Sequence, residues 1–164
     1  MSKLSAKGGL RYTDVVPRNE ILQIVQGTAS YAVSNVSTTF VTTGCVASIA
    51  LKKPTSKLLI QFEGVSQIYT TDGIAMDFRI YKNGVQFEGA AAFPGNASFT
   101  QTQRIGMGVN ASINEWKTDS ISMIDYSGTG GKYEVWFSRY SGAGSYNLTW
   151  MAQLRTITLT EISA

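Results

Sequence analysis

The sequence predicts an all-β protein, an antiparallel two-sheet jelly-roll sandwich with an extended N-terminal arm. Three observations predict it: apolar and polar residues alternate in short runs, turn formers separate those runs, and no window of helical length keeps a 3.6-residue apolar period. The 164 residues amount to one domain, with 43% hydrophobic and 15% charged residues, 16 Gly, and Ser and Thr together numbering 34. A domain of this size hides roughly 70% of its extended-chain surface, so a full core is within reach.

Residues 1–27 read as the arm: Gly8-Gly9 and Pro17 precede an apolar run at 21–25 that leads into a first strand. Residues 28–164 read as the jelly-roll domain. Leu58, Ile60 and Phe62 alternate with Leu59, Gln61 and Glu63, which predicts a half-buried strand after Pro54. Phe78 and Ile80 alternate with Arg79, and Asn83-Gly84 joins this strand to Val85-Gln86-Phe87. Asn-Gly supports the two positive φ angles of a type I′ turn, so a hairpin is expected there. Residues 112–115, Ser-Ile-Asn-Glu, have capping-box spacing and predict one helical turn, with Trp116 in a loop after it.

Ile121 and Met123 alternate with Ser120 and Ser122. A Gly/Thr/Ser turn at 127–131 then leads into Tyr133, Val135 and Phe137 on one face, with Glu134, Trp136 and Ser138 on the other. The last run places Tyr146, Leu148, Trp150, Ala152 and Leu154 on one face. Ile157 and Leu159 fall on the opposite parity, and one extra residue near Arg155-Thr156, as in a β-bulge, accounts for the slip.

The chain has no histidine and one cysteine, Cys45. That excludes a Ser-His-Asp triad, a Cys-His pair, an imidazole metal ligand, an internal disulfide and a four-cysteine zinc site. Cys45 is expected to be a small buried residue. No apolar leader and no run of about 18 apolar residues is present, so the expectation is a cytoplasmically made protein with no membrane contact. The four Asn-x-Ser/Thr sequons, at Asn35, Asn96, Asn110 and Asn147, then read as ordinary polar sequence.

The formal charge of +3 belongs to the N-terminal segment, where Lys3, Lys7 and Arg11 stand without an acid. The rest of the chain is balanced, which speaks against a nucleic-acid partner, because phosphate binding needs a basic surplus on the folded part. The segment reads either as a solvated tail or as a docking arm for an acidic surface.

Candidate chemistry is sparse. Residues 126–132, Tyr-Ser-Gly-Thr-Gly-Gly-Lys, lack the first Gly and the final Ser/Thr of a phosphate loop and are followed by a strand pattern, so they read as a turn. Asp72, Asp77, Asp119 and Asp125 offer carboxylates for a dyad or a calcium site, but Asp72 and Asp119 read as turn residues. Neither catalytic residues nor metal ligands are assigned. The aromatic surplus is more informative, with 8 Tyr, 7 Phe and 3 Trp. Trp150 shares parity with Leu148 and Leu154 and is expected in the core. Trp136, near Tyr140, reads as a subunit contact, a core residue or a platform for a sugar ring, and these three remain open.

Several runs carry a resemblance. Pro54-Thr55-Ser56-Lys57-Leu58-Leu59-Ile60-Gln61-Phe62-Glu63-Gly64, Asp77-Phe78-Arg79-Ile80-Tyr81-Lys82-Asn83-Gly84-Val85 and Arg155-Thr156-Ile157-Thr158-Leu159-Thr160-Glu161-Ile162 resemble small jelly-roll proteins of tailed bacteriophage particles. These are similar in architecture to the tumour-necrosis-factor and complement globular heads. The likeness spans about residues 28–162 and rests on strand and turn signatures. It implies a non-enzymatic virion structural protein without cofactors, most economically a capsid decoration or cement protein or a head fibre. Its partners would be copies of itself, as a homotrimer, and phage capsid or tail proteins. The alternative is the receptor-binding tip of a tail fibre that uses loop aromatics such as Trp116 on host-surface glycans. The partner-binding residues expected under these readings are Lys3, Lys7, Arg11, Trp116, Trp136 and Tyr140.

Overall fold

Alternation along a strand sends successive side chains to opposite faces, so apolar residues two apart can be buried only if a second layer covers them. The computed structural model describes residues 19–31, 33–70, 74–88, 90–91, 103–107, 113–139, 147–149 and 154–163. Among them every regular element is a strand: β1 (Ile21–Ala29), β2 (Ser34–Asn35), β3 (Val41–Ile49), β4 (Lys57–Thr70), β5 (Ile74–Lys82), β6 (Val85–Gln86), β7 (Ala90–Ala91), β8 (Gln103–Met107), β9 (Ile113–Asp125), β10 (Gly131–Arg139), β11 (Asn147–Thr149) and β12 (Arg155–Ile162). β1 straddles the division at residues 27 and 28 drawn from the sequence. Residues 1–18, with Lys3, Lys7 and Arg11, lie outside the described residues.

Two antiparallel sheets result. In the first the order is β1-β12-β4-β9, with β7 beyond β9; β11 pairs with the same edge of β4 as β12 does, and β2 pairs outside it. In the second the order is β3-β10-β5, with β6 and β8 sharing the far edge of β5. One core lies between them. Leu58, Ile60, Phe62, Ile121, Met123, Ile157 and Leu159 from the first sheet meet Cys45, Ala47, Ile49, Phe78, Ile80, Tyr133, Val135 and Phe137 from the second. Phe62 and Phe78 cross the layer with ring centroids 5.9 Å apart, and Phe78 and Phe137 continue the row at 6.4 Å. At one side the sheets almost touch: a Cβ on Gly27 of β1 would stand 1.6 Å from the Val46 carbonyl oxygen of β3.

The alternations predicted for β4, β5, β9 and β10 are present, and Cys45 is fully buried. Asn83 (φ 52°) and Gly84 (φ 81°) form the β5–β6 turn in the expected positive-φ pair. Gly128 (φ 66°) bends the β9–β10 turn, so the tract at 127–131 is a turn.

Three expectations are corrected. The helical turn at 112–115 does not form: Ile113 begins β9, which pairs with β4 from Thr70↔Ile113 to Leu58↔Asp125. A ladder of that length outweighs a local capping preference worth about 1 kcal/mol. Trp116 and Asp119 are therefore strand residues, opposite Gln67 and Gly64. The last run is not one strand with a one-residue bulge. Thr149 pairs with Gln67 and Thr156 with Glu63, so the chain advances seven positions while β4 advances four. The excess of three is odd, which is why the parity flips. Leu154 is exposed instead of sharing a core face, and Tyr146, Trp150 and Ala152 lie outside the described residues.

Candidate functional site

At one end of the molecule the turns are bolted to each other. Lys82, closing β5, donates to Asp125 Oδ2 at 2.7 Å, and to Ser127 Oγ, Thr129 Oγ1 and the Thr129 carbonyl at 2.9 Å each. Tyr133 donates its hydroxyl to the same Asp125 oxygen at 2.6 Å, and the Ser127 N–H donates to Asp125 Oδ1 at 2.7 Å. Burial alone raises the Asp125 carboxyl, but the bonds from Lys82, Tyr133 and Ser127 outweigh it and hold the carboxyl below its ordinary range. Burial first, then the neighbouring carboxylate, push the Tyr133 phenol up. The Lys82–Ser127 distance is that of a base beside a nucleophile, yet Lys82 acts as a donor to a carboxylate and a carbonyl. These bonds fasten the turns to each other.

Glu161 makes a second bolt at the same end. Its carboxylate accepts the N–H groups of Lys52 and Lys53 at 2.9 and 3.1 Å and the Gln23 side-chain amide at 2.6 Å, joining β1, β12 and the β3–β4 loop. Burial raises this carboxyl, but the backbone and side-chain donors prevail and bring it down to about 2. The chain also closes here: Glu20 and Ser163 exchange bonds, Ser163 N–H to the Glu20 carbonyl at 2.9 Å and Glu20 N–H to Ser163 Oγ at 3.0 Å. Asn19, at the start of the described chain, accepts from Lys57 at 3.1 Å.

The outer face of the second sheet is different. β10 turns Trp136 outward, opposite Thr42 of β3 and Arg79 of β5, while Glu134 stands opposite Tyr81. A bulge makes the neighbourhood: Thr43, Gly44 and Cys45 face Val135 alone between Glu134↔Val46 and Trp136↔Thr42, and Gly44 (φ 76°) supplies the positive φ it requires. The Tyr81 and Trp136 rings are 4.6 Å apart and tilted by 30° to each other. Arg79 lies 3.9 Å from the centroid of Phe40 and donates to Gln86 Oε1 at 2.9 Å. Phe40, Arg79, Tyr81 and Trp136 are all half-buried. The Trp136 Nε1–H is buried and meets no acceptor among the described residues, a situation that costs about 1–3 kcal/mol and is rare in folded proteins.

The outer face of the first sheet is poor in charge. Strand register aligns Thr28, Thr156, Glu63 and Ser120 in one row and Gln26, Thr158, Gln61 and Ser122 in the next. The row after that is Ile24, Thr160, Leu59 and Ile124. Ile24 keeps 56% of its surface exposed, and Ile21, farther along the same strand, 59%.

Of the partner-binding residues predicted from sequence, Trp136 is outward and half-buried, Trp116 stands in β9 opposite Gln67, and Lys3, Lys7, Arg11 and Tyr140 lie outside the described residues. Of the candidate carboxylates, Asp77 and Asp125 are buried and Asp72 lies outside the described residues. Among the described residues no group of three or more His, Cys, Asp or Glu gathers. The sequence reading missed Phe40, Arg79 and Tyr81. Arg79 and Tyr81 share the outward parity of β5, but only the pairing of β5 with β10 brings them to Trp136.

No protein-family model matches this chain, and no curated protein matches it. Among solved structures, the crystal structure of dimeric latent PorU from Porphyromonas gingivalis is similar at a TM-score of 0.41 and 12% identity, over 90% of this chain and 14% of that one.

Proposed function

We propose that this chain is a non-enzymatic assembly module with jelly-roll topology, built to bind copies of itself and a larger particle. The observation that carries the reading is the outer face of the first sheet. Two polar cross-strand rows hold one charged residue, Glu63, beside a third row of Ile24, Thr160, Leu59 and Ile124 in which Ile24 is exposed. Depletion of charge around an apolar centre is the composition of an interface core. A homotrimer would bury three such faces around its axis.

The topology is supported by the strand orders. Numbering only the eight principal strands, β1, β3, β4, β5, β8, β9, β10 and β12, the first sheet reads first-eighth-third-sixth and the second reads second-seventh-fourth-fifth. Two wrapped Greek keys produce that order. The non-catalytic reading is supported by where the reactive groups are spent: Lys82, Asp125, Tyr133 and Glu161 hold turns together.

The particle in this proposal is a tailed-phage virion, with the chain as a decoration, cement or head-fibre protein. The runs that carry the resemblance fall on β4, on the β5–β6 hairpin and on β12. Attachment is assigned to residues 1–18, whose Lys3, Lys7 and Arg11 suit an acidic capsid surface, and three arms acting together turn a weak contact into a durable one. Binding of the full chain and of a form lacking residues 1–18 to undecorated particles tests this. The full chain is expected to bind and to weaken with salt, and equal binding by the shortened chain removes the arm from the account.

A further inference from the structure

Where β9 ends, the chain turns its oxygens toward one point, and a positive charge already stands there. We infer that the β9–β10 turn is a binding site for a monovalent cation of potassium's size, and that the Lys82 ammonium is the cation this chain supplies to it. Asp125 Oδ2 lies 2.7 Å from Lys82 Nζ, and Ser127 Oγ, Thr129 Oγ1 and the Thr129 carbonyl oxygen each lie 2.9 Å from it. An ammonium has three N–H donors, so four oxygens exceed what it serves with one bond each. A spherical ion has no such limit. Asp125, Ser127 and Thr129 stand at every second position with Gly130 next, the spacing by which an oxygen-lined loop wraps a cation. Gly128, at φ 66°, bends the chain between the two hydroxyl residues.

Size and charge decide which cation fits. Calcium holds its oxygens at about 2.3–2.6 Å and magnesium at about 2.0–2.1 Å. Oxygens 2.7–2.9 Å from their centre are spaced for a larger ion. Potassium is close to an ammonium in size, and protein oxygens are able to replace its hydration shell. The one carboxylate, Asp125, balances one positive charge, and among the described residues no group of three or more His, Cys, Asp or Glu gathers to hold a divalent ion. The oxygens are also held in place without Lys82: the Tyr133 hydroxyl donates to Asp125 Oδ2 at 2.6 Å and the Ser127 N–H to Asp125 Oδ1 at 2.7 Å. The Lys82 and Asp125 side chains keep only 14% and 3% of their surface exposed, so bulk water contributes little to neutralising the carboxylate. A tethered ammonium fills the turn at every salt concentration and makes this end of the molecule indifferent to the metal content of its surroundings.

The test is thermal melting of the full chain and three variants in potassium chloride, in calcium chloride and in tetramethylammonium chloride, whose cation is too large for the turn, all at equal ionic strength. The variants are Lys82→Ala, which removes the ammonium and clears its stem, Lys82→Met, which keeps the stem, and Lys82→Ala combined with Asp125→Asn. The parent is expected to melt alike in potassium and tetramethylammonium. Lys82→Ala is expected to melt about 2–4 °C higher in potassium, with a response that saturates, Lys82→Met to gain less, and the double variant to gain nothing. A Lys82→Ala chain that folds in potassium and not in tetramethylammonium is the same result in a stronger form. Lys82→Ala melting alike in the two salts overturns the proposal, as does failure of both Lys82→Ala and Lys82→Met to fold in potassium. A gain that survives Asp125→Asn, an equal gain in the parent, or stabilisation of Lys82→Ala by calcium and not by potassium equally overturns it.

Discussion

The Tyr133 hydroxyl donates to the Asp125 carboxylate at 2.6 Å, so the strand that enters the β9–β10 turn and the strand that leaves it are joined through side chains as well as backbone. Lys82 reaches the same carboxylate from β5, in the opposite sheet, at 2.7 Å. Removing either donor should destabilise the fold, by different amounts. Tyr133→Phe leaves Asp125 with Lys82 and Ser127 and is expected to lose about 1–2 kcal/mol. Lys82→Met leaves a buried carboxylate without its cation and is expected to lose roughly 3 kcal/mol. Urea denaturation of the two variants checks the order.

The pH dependence follows from two carboxyls held low. Glu161 falls from 4.5 to about 2 on folding, and Asp125 is lowered in the same direction. A carboxyl whose folded value is depressed contributes stability above its unfolded value and loses it as pH falls toward the folded one. The melting temperature is therefore expected to hold above pH 4.5 and to fall between about pH 4.5 and 2. Glu161→Gln should start lower, because it no longer meets both N–H groups as a carboxylate, and should show a flatter acid limb. Melting curves across that range decide it.

These two carboxylates also mark the limit of what could be read from the sequence. Leu58, Ile60 and Phe62, or Asn83-Gly84, declare themselves because their signal is local: period two on a strand, positive φ in a turn. Glu161 looks like an outward polar residue in a run of Thr and Ile, and its partners Lys52 and Lys53 are more than a hundred positions away. Separation along the chain also hides the Tyr81–Trp136 ring contact, which exists only because Glu134↔Tyr81 and Trp136↔Arg79 are paired. Residues 112–115 misled in the opposite way, since a capping pattern is local and the β4–β9 ladder is not.

Two glycines separate crowding from conformational strain. A Cβ on Gly27 would fall 1.6 Å from the Val46 carbonyl oxygen, a backbone atom that cannot step aside, so Gly27→Ala is expected to lose roughly 3 kcal/mol or more by forcing β1 and β3 apart. Gly84 has nothing within 4 Å and only its positive φ to defend, so Gly84→Ala is expected to lose about 1–2 kcal/mol. Equilibrium unfolding of both variants tests the contrast.

Cys45 should be inert in the folded protein. It has no exposed surface, and burial pushes its thiol up to about 11, so thiolate is scarce near neutrality. A chromogenic disulfide reagent at pH 8 is expected to leave it unmodified until denaturant is added. Rapid labelling of the native protein would show that the β1–β3 side opens.

The account's central claim is that the charge-poor face bearing Ile24 and Leu59 exists to meet copies of itself. The native mass of the full chain at micromolar concentration tests it most directly, beside Ile24→Asp as the control that places a charge in the apolar row. The account predicts an assembly of three chains that Ile24→Asp dissociates into folded monomers. A parent chain that remains monomeric, or an assembly that keeps its mass with Asp at position 24, would contradict it.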